Sequence, residues 1–289
     1  MNKSISLVLA TYNGEKYILE QLDSIMNQEL LPNEIIIIDD CSTDRTYSIL
    51  ESYNFKEIKV QIIKNEKNVG PITNFKRGIN LATSDFIALC DQDDIWLPNK
   101  LKLSLNAILK LDFNNIPCAI FTDLRLIDEH NKLIANSLHS KWNIDPSKFD
   151  FFLILTSNVV TGCTLLFNKL MQSEIQSMPE DILMHDYWIA LIGYSIGQIK
   201  YVKQETVLYR SHNDSVTSKK QSSFIMKMRD FREVNQKQYE QLRKFMKQYK
   251  FCLRIEDREI VTKYLKMRKK NYIEQRIIIK FWKWGIKLV

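Results

Sequence analysis

The chain has 289 residues, of which 45% are hydrophobic and 26% charged, and this composition excludes a disordered, collagen-like or multi-span membrane protein. Its net charge of +7 is unevenly distributed: residues 219–289 hold 21 Lys and Arg against 7 Asp and Glu, and residues 1–218 hold 20 against 27. An acidic body with a basic C-terminal segment suggests that the segment meets an anionic surface, either nucleic acid or an acidic membrane.

The first half of the chain alternates strand and helix signals. Short apolar runs predict four strands, at residues 5–10, 34–38, 58–63 and 86–90. The spacing of apolar residues predicts the intervening helices, at residues 15–29, 45–53, 72–82 and for about a dozen residues from Pro98. Continuous apolar strands that alternate with amphipathic helices indicate a parallel sheet covered on both faces.

Polar residues follow three of these strands, at residues 11–13, 39–40 and 91–94. Ligands of open α/β sheets bind beyond the carboxyl ends of the strands, so we expect these clusters to converge on one crevice. The sequence has no GxGxxG, GxxxxGK[ST] or GxSxG motif, which argues against a glycine-rich dinucleotide loop, a P-loop and a serine-hydrolase elbow.

The pattern changes after about residue 117. Strands are predicted at residues 118–126 and 163–167, with one or two more over 198–209, and a helix is predicted over 182–193. From about residue 222 the chain reads as basic helices, the second near 256–278. One face of the first carries apolar residues, namely Phe224, Met228, Phe231, Val234, Leu242, Phe245 and Tyr249.

Cysteine usage and the N-terminus indicate a compartment. The five cysteines are widely spaced, without a CxxC pair or a zinc-type cluster, and we interpret them as reduced thiols. The apolar run at residues 5–10 is too short for a secretory signal, and no stretch reaches about 18 apolar residues. We therefore expect a cytoplasmic protein.

The acidic cluster at residues 91–94 is the most informative feature. Asp91, Asp93 and Asp94 repel one another, so they need a cation or solvent. Carboxylate oxygens at this density suit Mg²⁺ or Mn²⁺, which would take further ligands from substrate phosphates. The alternative is a solvated acidic turn before the helix at Pro98.

Three further clusters have a functional and a structural interpretation. Asp39 and Asp40 could accept the N3–H of a uracil or thymine ring, or they could cap the next helix. A second cluster, His185-Asp186-Tyr187-Trp188, could hold a general base in a partly desolvated pocket, or it could cap a helix with Trp188 in the core.

The third cluster lies at the end of the last predicted strand. Arg210 and His212 could contact a diphosphate or a metal ion, or they could belong to a surface loop.

Four segments taken together resemble the inverting family-two glycosyltransferases of GT-A fold. They are residues 6–13 (SLVLATYN), 38–44 (IDDCSTD), 68–70 (NVG) and 91–98 (DQDDIWLP), and the resemblance covers roughly residues 3–215. The DQDDIWLP and HDYW forms are most similar to the bacterial rhamnosyltransferase-type branch, which builds capsule, O-antigen or cell-wall polysaccharides.

The resemblance implies a Rossmann-like α/β GT-A fold of the nucleotide-diphospho-sugar transferase type. Residues 1–218 would form the catalytic domain, with a nucleotide-sugar half of about 1–116 and an acceptor half of about 117–218. Residues 219–289 would be a basic helical C-terminal extension.

It also implies roles at the donor site. Asp40, with Asp39 beside it, would bind the pyrimidine of a nucleotide-sugar, and Ala10 and Tyr12 would line the base pocket. Asp91 would contribute to nucleotide and metal binding.

Asp91 and Asp93 match the family's DxD motif, with Asp93 the main ligand of Mn²⁺ or Mg²⁺ and His212 a further metal or diphosphate contact. Asp94 would support the metal site or contact the sugar. Asp186 would be the general base that deprotonates the acceptor hydroxyl.

Four more residues of these motifs would contact the sugar or the acceptor, namely Trp96, His185, Trp188 and Arg210.

Two departures from the family pattern qualify the resemblance. The QxxRW signature of processive enzymes is absent, which favours addition of a single sugar. Cys41 replaces the commoner Gly of the DDGS turn. A non-catalytic nucleotide-sugar or glycan-binding module of the same fold is the alternative function, although the joint presence of Asp91, Asp93 and Asp186 speaks against it.

The C-terminal segment bears on the acceptor. Residues 277–289 combine apolar, aromatic and Lys residues, which suits a bilayer interface, and each basic side chain near anionic lipid could add about 1 kcal/mol. We expect a peripheral protein on the inner face of the plasma membrane that acts on a glycan or lipid-linked glycan. The alternative is that residues 224–279 pack on the catalytic domain. No motif supports nucleic-acid binding, and a homo-oligomer stays open.

Overall fold

The computed structural model describes residues 3–211, the backbone of 224–235, residues 236–268 and Glu274. The strands are β1 (Ile5–Thr11), β2 (Glu34–Asp39), β3 (Lys59–Lys64), β4 (Phe86–Asp91), β5 (Ile95–Trp96), β6 (Cys118–Ile127), β7 (Leu133–Ala135), β8 (Leu165–Asn168) and β9 (Gln198–Arg210). The helices are α1 (Ile18–Met26), α2 (Thr46–Ser52), α3 (Pro71–Leu81), α4 (Lys100–Ile108), α5 (Leu138–Lys141), α6 (Phe151–Thr156), α7 (Lys169–Gln176), α8 (His185–Ser195), α9 (Phe224–Tyr249) and α10 (Ile255–Met267).

The described strands form one sheet in the order β3-β2-β1-β4-β8-β6-β9-β5, with β7 paired to β6. Strands β1 to β4 are parallel, because a helix returns the chain between successive strands. Strand β8 is antiparallel to both β4 and β6. The change of pattern predicted after about residue 117 is therefore a change from parallel to mixed pairing.

Apolar clusters cover both faces of the sheet. Along β1 the side chains alternate, with Ile5, Leu7 and Leu9 in one cluster and Val8 in the other. Each cluster also contains residues of the helices on its face, Ile25 of α1 on one and Phe75 of α3 on the other. The predicted two-sided burial is confirmed for β1, β2 and β4, whereas the edge strand β3 is exposed at Lys59, Gln61 and Lys64.

The C-terminal helices share the core of the preceding residues. Leu242, Phe245 and Tyr264 are fully buried in the same apolar cluster as α8, and the rings of Phe245 and Trp188 meet edge to face at 5.5 Å. Residues 236–268 therefore pack on the preceding domain, which is the alternative that the sequence left open. Within the described part of the chain, no helix is long and apolar enough to cross a membrane.

Some predicted boundaries differ from the structure. Helix α4 begins at Lys100 instead of Pro98. The Pro98 carbonyl accepts a hydrogen bond from the Glu29 amide, so Pro98 takes part in a tertiary contact before the helix. Cys163 lies in a 3₁₀ turn before β8, and residues 198–210 form a single strand. Three predictions fall outside the described residues. They concern the side chains of one helix face before residue 235, the domain boundary at 218 and the segment 277–289.

Candidate functional site

The carboxyl ends of β1, β2 and β4 converge as predicted. The Thr11 hydroxyl donates to Asp39 Oδ1 at 3.0 Å, and the Asp40 amide donates to the Thr11 carbonyl at 2.8 Å. The side-chain amide of Gln92 bonds both backbone groups of Tyr12, accepting from its N–H at 2.8 Å and donating to its carbonyl at 2.9 Å. These bonds place the three polar clusters around one crevice.

The Asp39 carboxylate is buried and occupied by its own chain. It accepts hydrogen bonds from the Thr11 hydroxyl and from both the amide and the hydroxyl of Ser42. It therefore shapes the turn after β2. It does not cap α2, since the first amide of that helix, that of Thr46, donates to Asp44 instead.

Asp40 also accepts three hydrogen bonds from its own chain. Its Oδ1 accepts from the Asn65 side chain and the Val69 amide, and its Oδ2 accepts from the Gly70 amide, each at 2.8 to 2.9 Å. A carboxylate offers about four acceptor positions, so Oδ2 retains one for a further donor. That is the capacity that an N3–H of a pyrimidine requires.

The walls of the predicted base pocket come from the end of β1. Ala10 is partly buried and pairs with Asp91 across the sheet, whereas the Tyr12 side chain is 46% exposed. Gly14 follows closely, and a Cβ at this position would lie 2.2 Å from the Gln92 side-chain oxygen. The absence of a side chain at Gly14 therefore allows Gln92 to join the β1 and β4 turns.

The acidic turn after β4 lacks such compensation. Asp94 is fully buried; its Oδ1 accepts the Arg210 amide at 3.2 Å, and its Oδ2 has no hydrogen-bond partner among the described residues. Burial, together with the charges of Asp93 and Asp91, raises the pKa of Asp94 well above its ordinary value. Burial and the charges of Asp93 and Asp186 raise the pKa of Asp91 to about 7.

These residues fit a hard divalent cation. Ligand atoms of Asp91, Asp94 and Cys163 lie within 4.8 Å of one another, and the buried Asp94 Oδ2 has a free lone pair. Burial raises the pKa of Cys163, so it stays a thiol, and the carboxylate oxygens are the suitable ligands. The partly buried Asp93 is not in this group of three, and His212 lies outside the described residues.

Asp186 lies in the first turn of α8, within electrostatic reach of Asp91. Its Oδ1 accepts from the Asn158 side chain at 3.0 Å and its Oδ2 from the Gly162 amide at 3.2 Å. Burial raises its pKa to about 7, and its charge in turn raises the pKa of Asp91. A carboxylate held in this way can exchange a proton near neutral pH.

Comparison with known proteins decides the family. Residues 6–169 match the family described as Glycosyl transferase family 2. The chain belongs to glycosyltransferase family 2. It is 31% identical over 220 residues to the dTDP-rhamnosyl transferase RfbG of Shigella flexneri, with 72% of each chain covered.

A second relative and a solved structure extend the comparison. The putative teichuronic acid biosynthesis glycosyltransferase TuaG of Bacillus subtilis is 26% identical over 220 residues, which cover 75% of this chain and 82% of TuaG. The crystal structure of S. aureus TarS 1-349 in complex with UDP-GlcNAc matches with a TM-score of 0.65 at 18% identity, covering 99% of this chain and 76% of that one. The predicted GT-A fold with a helical C-terminal part is confirmed.

Two predicted sugar or acceptor contacts of this family 2 glycosyltransferase lie in its core. Trp96 is 2% exposed, and the Lys100 ammonium lies 4.6 Å from the centre of its ring. Trp188 is fully buried against α9. Both indoles are buried against other protein groups, so their prediction as ligand contacts is corrected to a packing role.

Arg210 also differs from its predicted role. Its guanidinium is buried and donates to the Asp93 carbonyl at 2.9 Å, to Glu20 Oε2 at 2.6 Å and to Asn131 Oδ1. It stacks over the Tyr17 ring at 4.5 Å. Because these protein groups occupy the guanidinium, Arg210 holds the acidic turn in place, and the prediction that it contacts the sugar is corrected.

His185 lies beside Asp186 but within the protein. Its ring is 4.4 Å from that of Phe75, and neither ring nitrogen has a hydrogen-bond partner in the described chain. Burial lowers the pKa of His185 to about 4, so the imidazole is neutral. It packs against Gly162, where a Cβ would come within 3.0 Å of Nε2.

Sequence reasoning missed the residues that hold the crevice together, namely Gln92, Asn158, Gly162, Glu20 and Asn131. Gln92 lies inside the acidic motif, and its position between two Asp residues was a usable signal. The partners of Asp186 and Arg210 carried no such signal, because they come from segments up to 190 residues away.

Proposed function

We propose that this chain is an inverting, metal-dependent glycosyltransferase that moves one sugar from a nucleoside-diphosphate sugar to a growing cell-surface polysaccharide. The observation that carries the proposal is the position of the acidic turn at residues 91–94 beside the Asp186 carboxylate, at the crevice beyond β1, β2 and β4. The charge of Asp186 raises the pKa of Asp91, so the two carboxylates lie within electrostatic reach of each other. An acidic group for the donor diphosphate and a base for the acceptor hydroxyl are thus adjacent.

The donor is proposed as dTDP-rhamnose, with a UDP-hexose as the alternative. The name of RfbG, a dTDP-rhamnosyl transferase, supports the first, and the UDP-GlcNAc complex of TarS supports the second. Uracil and thymine present the same N3–H to the remaining acceptor position of Asp40, so this residue does not separate them.

Asp186 acts on the acceptor. Its carboxylate accepts the proton of the attacking hydroxyl, and a pKa of about 7 gives it both a useful ionised fraction and adequate basicity near neutral pH. Asn158 and Gly162 orient it. Bound Mn²⁺ or Mg²⁺, held by Asp91 and Asp94 with Asp93 beside them, would supply positive charge where the leaving diphosphate becomes more negative.

A lipid-linked glycan at the inner face of the plasma membrane is the proposed acceptor. The name of TuaG, which refers to teichuronic acid biosynthesis, supports a cell-wall polysaccharide. The excess of basic residues in 219–289 supports attraction to anionic lipid.

A thermal-shift screen tests the donor. The protein is heated with Mn²⁺ or Mg²⁺ and dTDP, UDP, GDP or CMP, then with the corresponding sugars. A ligand at 100 times its Kd adds about 2.7 kcal/mol of stability. Metal-dependent stabilisation by dTDP-rhamnose supports the proposal, and a preference for a UDP-sugar changes only the donor. A folded sample that responds to no nucleotide favours a non-catalytic module.

The substitution Asp186→Asn tests the base. Loss of general-base catalysis should lower kcat by roughly 10²- to 10⁴-fold, with donor binding nearly unchanged because Asp186 acts on the acceptor. The matched control is Asp181→Asn, which removes an exposed carboxylate just before α8 and should leave turnover intact. Near wild-type turnover in Asp186→Asn would contradict the assignment.

A further inference from the structure

A second buried histidine, His139 of α5, lies in a setting that favours its charged form. Its side chain is 5% exposed, with Nδ1 2.9 Å from Asp123 Oδ1 and Nε2 2.9 Å from the Val159 carbonyl oxygen. A carboxylate and a carbonyl both only accept hydrogen bonds. The Nε2–H donates to Val159. Nδ1 is not aligned for a hydrogen bond to Asp123, but at 2.9 Å from a carboxylate oxygen a protonated Nδ1 is favoured over a lone pair, so we assign the ring as an imidazolium.

Asp123 is the counter-ion of His139. It lies in β6 where the pairing with β9 is irregular, and its carboxylate accepts from the Ser137 hydroxyl at 2.5 Å, the Tyr201 hydroxyl at 3.2 Å and the Leu124 amide at 2.8 Å. Burial raises its pKa, but the bonds from His139 and Ser137 outweigh burial and lower it to about 2. Asp123 is therefore ionised whenever the protein is folded near neutral pH.

The surroundings of His139 contain few other titratable groups. Strand β6 presents Asp123 and the Phe121 ring, β9 presents Tyr201, and the segment 157–161 presents the Val159 carbonyl. Burial and Asp123 raise the pKa of Tyr201, so it stays neutral. Burial lowers the pKa of His139, but its bonds to Asp123 and Val159 outweigh burial and raise it above 6.5.

Val159 belongs to the loop that holds the proposed base. Within residues 157–162, Asn158 donates to Asp186 Oδ1 and the Gly162 amide donates to Asp186 Oδ2. Asn158 is itself braced by two bonds to the backbone of Val160. His139 therefore binds the loop between the two groups that orient Asp186.

We propose that His139 and Asp123 are positioning residues for the transfer reaction: the imidazolium holds the loop 157–162 in the form that orients Asp186, and loss of its proton releases the loop. When the ring becomes neutral, one of its two nitrogens faces an acceptor with a lone pair, so one of its two contacts is lost. The effect on turnover rests on the proposed role of Asp186 as base, whereas the coupling between His139 and the loop does not.

The first test is the pH profile of kcat for the full chain. As the pH increases, wild-type kcat should rise when Asp186 ionises and fall again when His139 loses its proton. The variant His139→Gln keeps an amide donor but does not titrate, so we expect a kcat lowered roughly 10- to 100-fold without that alkaline fall, and an unchanged KM for the donor. His130→Gln, in the exposed turn before β7, is the matched control and should match the wild type.

The variant Asp123→Asn provides an independent check, because it keeps the ring but removes its counter-ion. The alkaline fall of kcat should then move to lower pH, by roughly one unit. An alkaline fall with the same midpoint in wild type, His139→Gln and Asp123→Asn would overturn the proposal.

Heteronuclear NMR separates this proposal from the proposed function, because it needs no turnover. The chain has four histidines, so the His139 resonance is identified by its loss in His139→Gln. Its titration midpoint should lie above pH 6.5, and the Asn158 side-chain amide and the Gly162 amide should shift with the same midpoint. In Asp123→Asn both midpoints should fall together. Loop resonances that do not shift as His139 titrates would overturn the coupling. A loop that shifts with His139 in a protein without transferase activity would overturn only the proposed function.

Discussion

The turns after β2 and β4 each carry neighbouring carboxylates at the same edge of the sheet, but the protein surrounds them differently. Asp39 and Asp40 each accept three hydrogen bonds from their own chain. Asp94 accepts the Arg210 amide and has the Cys163 thiol beside it, and its Oδ2 has no hydrogen-bond partner in the described chain. The carboxylates of the first turn are thus largely compensated by their own chain, with one acceptor position of Asp40 Oδ2 left for a donor, whereas the second turn holds negative charge that a cation would balance. Similar acidic motifs can therefore have different chemistry, according to which donors the fold brings to them.

Removing a carboxylate from the β4 turn should have the largest effect on function. We expect Asp91→Asn to lower transfer by roughly 10²- to 10³-fold, because the charge that binds the cation near the leaving group is reduced. The stabilisation by Mn²⁺ in a thermal-shift assay should be lost as well. The measurements are initial rates at saturating donor and melting temperatures with and without Mn²⁺. An unchanged response to Mn²⁺ would show that Asp91 does not bind the metal.

The same substitution in the β2 turn should instead affect stability. In Asp39→Asn an amide NH₂ replaces an oxygen that accepts a hydrogen bond, so a buried donor loses its partner, at a cost of about 2–3 kcal/mol. We expect the melting temperature to fall by roughly 4–12 °C while the response to Mn²⁺ persists. A variant as stable as the wild type would remove the distinction between the two turns.

The pH dependence of stability in EDTA should report the uncompensated turn. Asp91 has a pKa of about 7 in the folded protein against 3.8 ordinarily, so between these values the folded state binds more protons than the unfolded chain. The contribution of Asp91 to stability should therefore fall as pH rises from 5 to 7, by about 2 kcal/mol, and it is measured as the difference between the wild type and Asp91→Asn. His185, with a pKa of about 4 against 6.5 ordinarily, acts in the opposite direction up to about pH 6.5, whereas Glu34 and Asp123, with pKa values near 2, do so only below about pH 4.

Mn²⁺ should flatten this pH dependence, because the cation favours the ionised carboxylates. Asp91→Asn should flatten it without metal. A slope that both changes leave intact would assign the effect to another group, such as Asp186, whose pKa is also raised to about 7.

The smallest expected effect concerns the strain in the β2 turn. Cys41 has a φ of +62°, in the left-handed region that disfavours a side chain. Cys41→Gly should stabilise the protein by about 1 kcal/mol, or roughly 2–4 °C in melting temperature. Cys41→Ala keeps the strain and loses the 3.6 Å contact of Sγ with the Glu66 carbonyl, so it should not stabilise. Equal melting temperatures for the Gly and Ala variants would contradict this account.

The parallel half of the fold and the place of the crevice could be predicted from the sequence. The runs that form β1, β2 and β4 are continuously apolar because helices cover both faces, and the polar residues after them lie at one edge by the rules of parallel sheets. The mixed half was predicted less well. Cys163 reads as the start of a strand but forms a 3₁₀ turn, because local apolar character does not distinguish a buried turn from a strand.

The roles of individual site residues depended on partners that are distant in sequence. Trp96 and Arg210 belong to motifs that suggest ligand contacts. However, the Lys100 ammonium lies over the Trp96 ring. The Arg210 guanidinium donates its hydrogen bonds to Glu20 and Asn131. Burial and competing hydrogen bonds decide whether a polar or aromatic side chain can reach a ligand, and neither property is local.

The sequence by itself determined the order of strands and helices in the first half, the family and the residue types at the crevice, because periodicity and short motifs depend only on neighbours along the chain. The tertiary structure alone decided which carboxylates are compensated, which motif residues are buried and which loop orients Asp186. Charge balance and hydrogen-bond satisfaction are properties of groups that meet in space, and here the decisive partners, such as His139 and Val159 or Arg210 and Glu20, lie 20 to 190 residues apart.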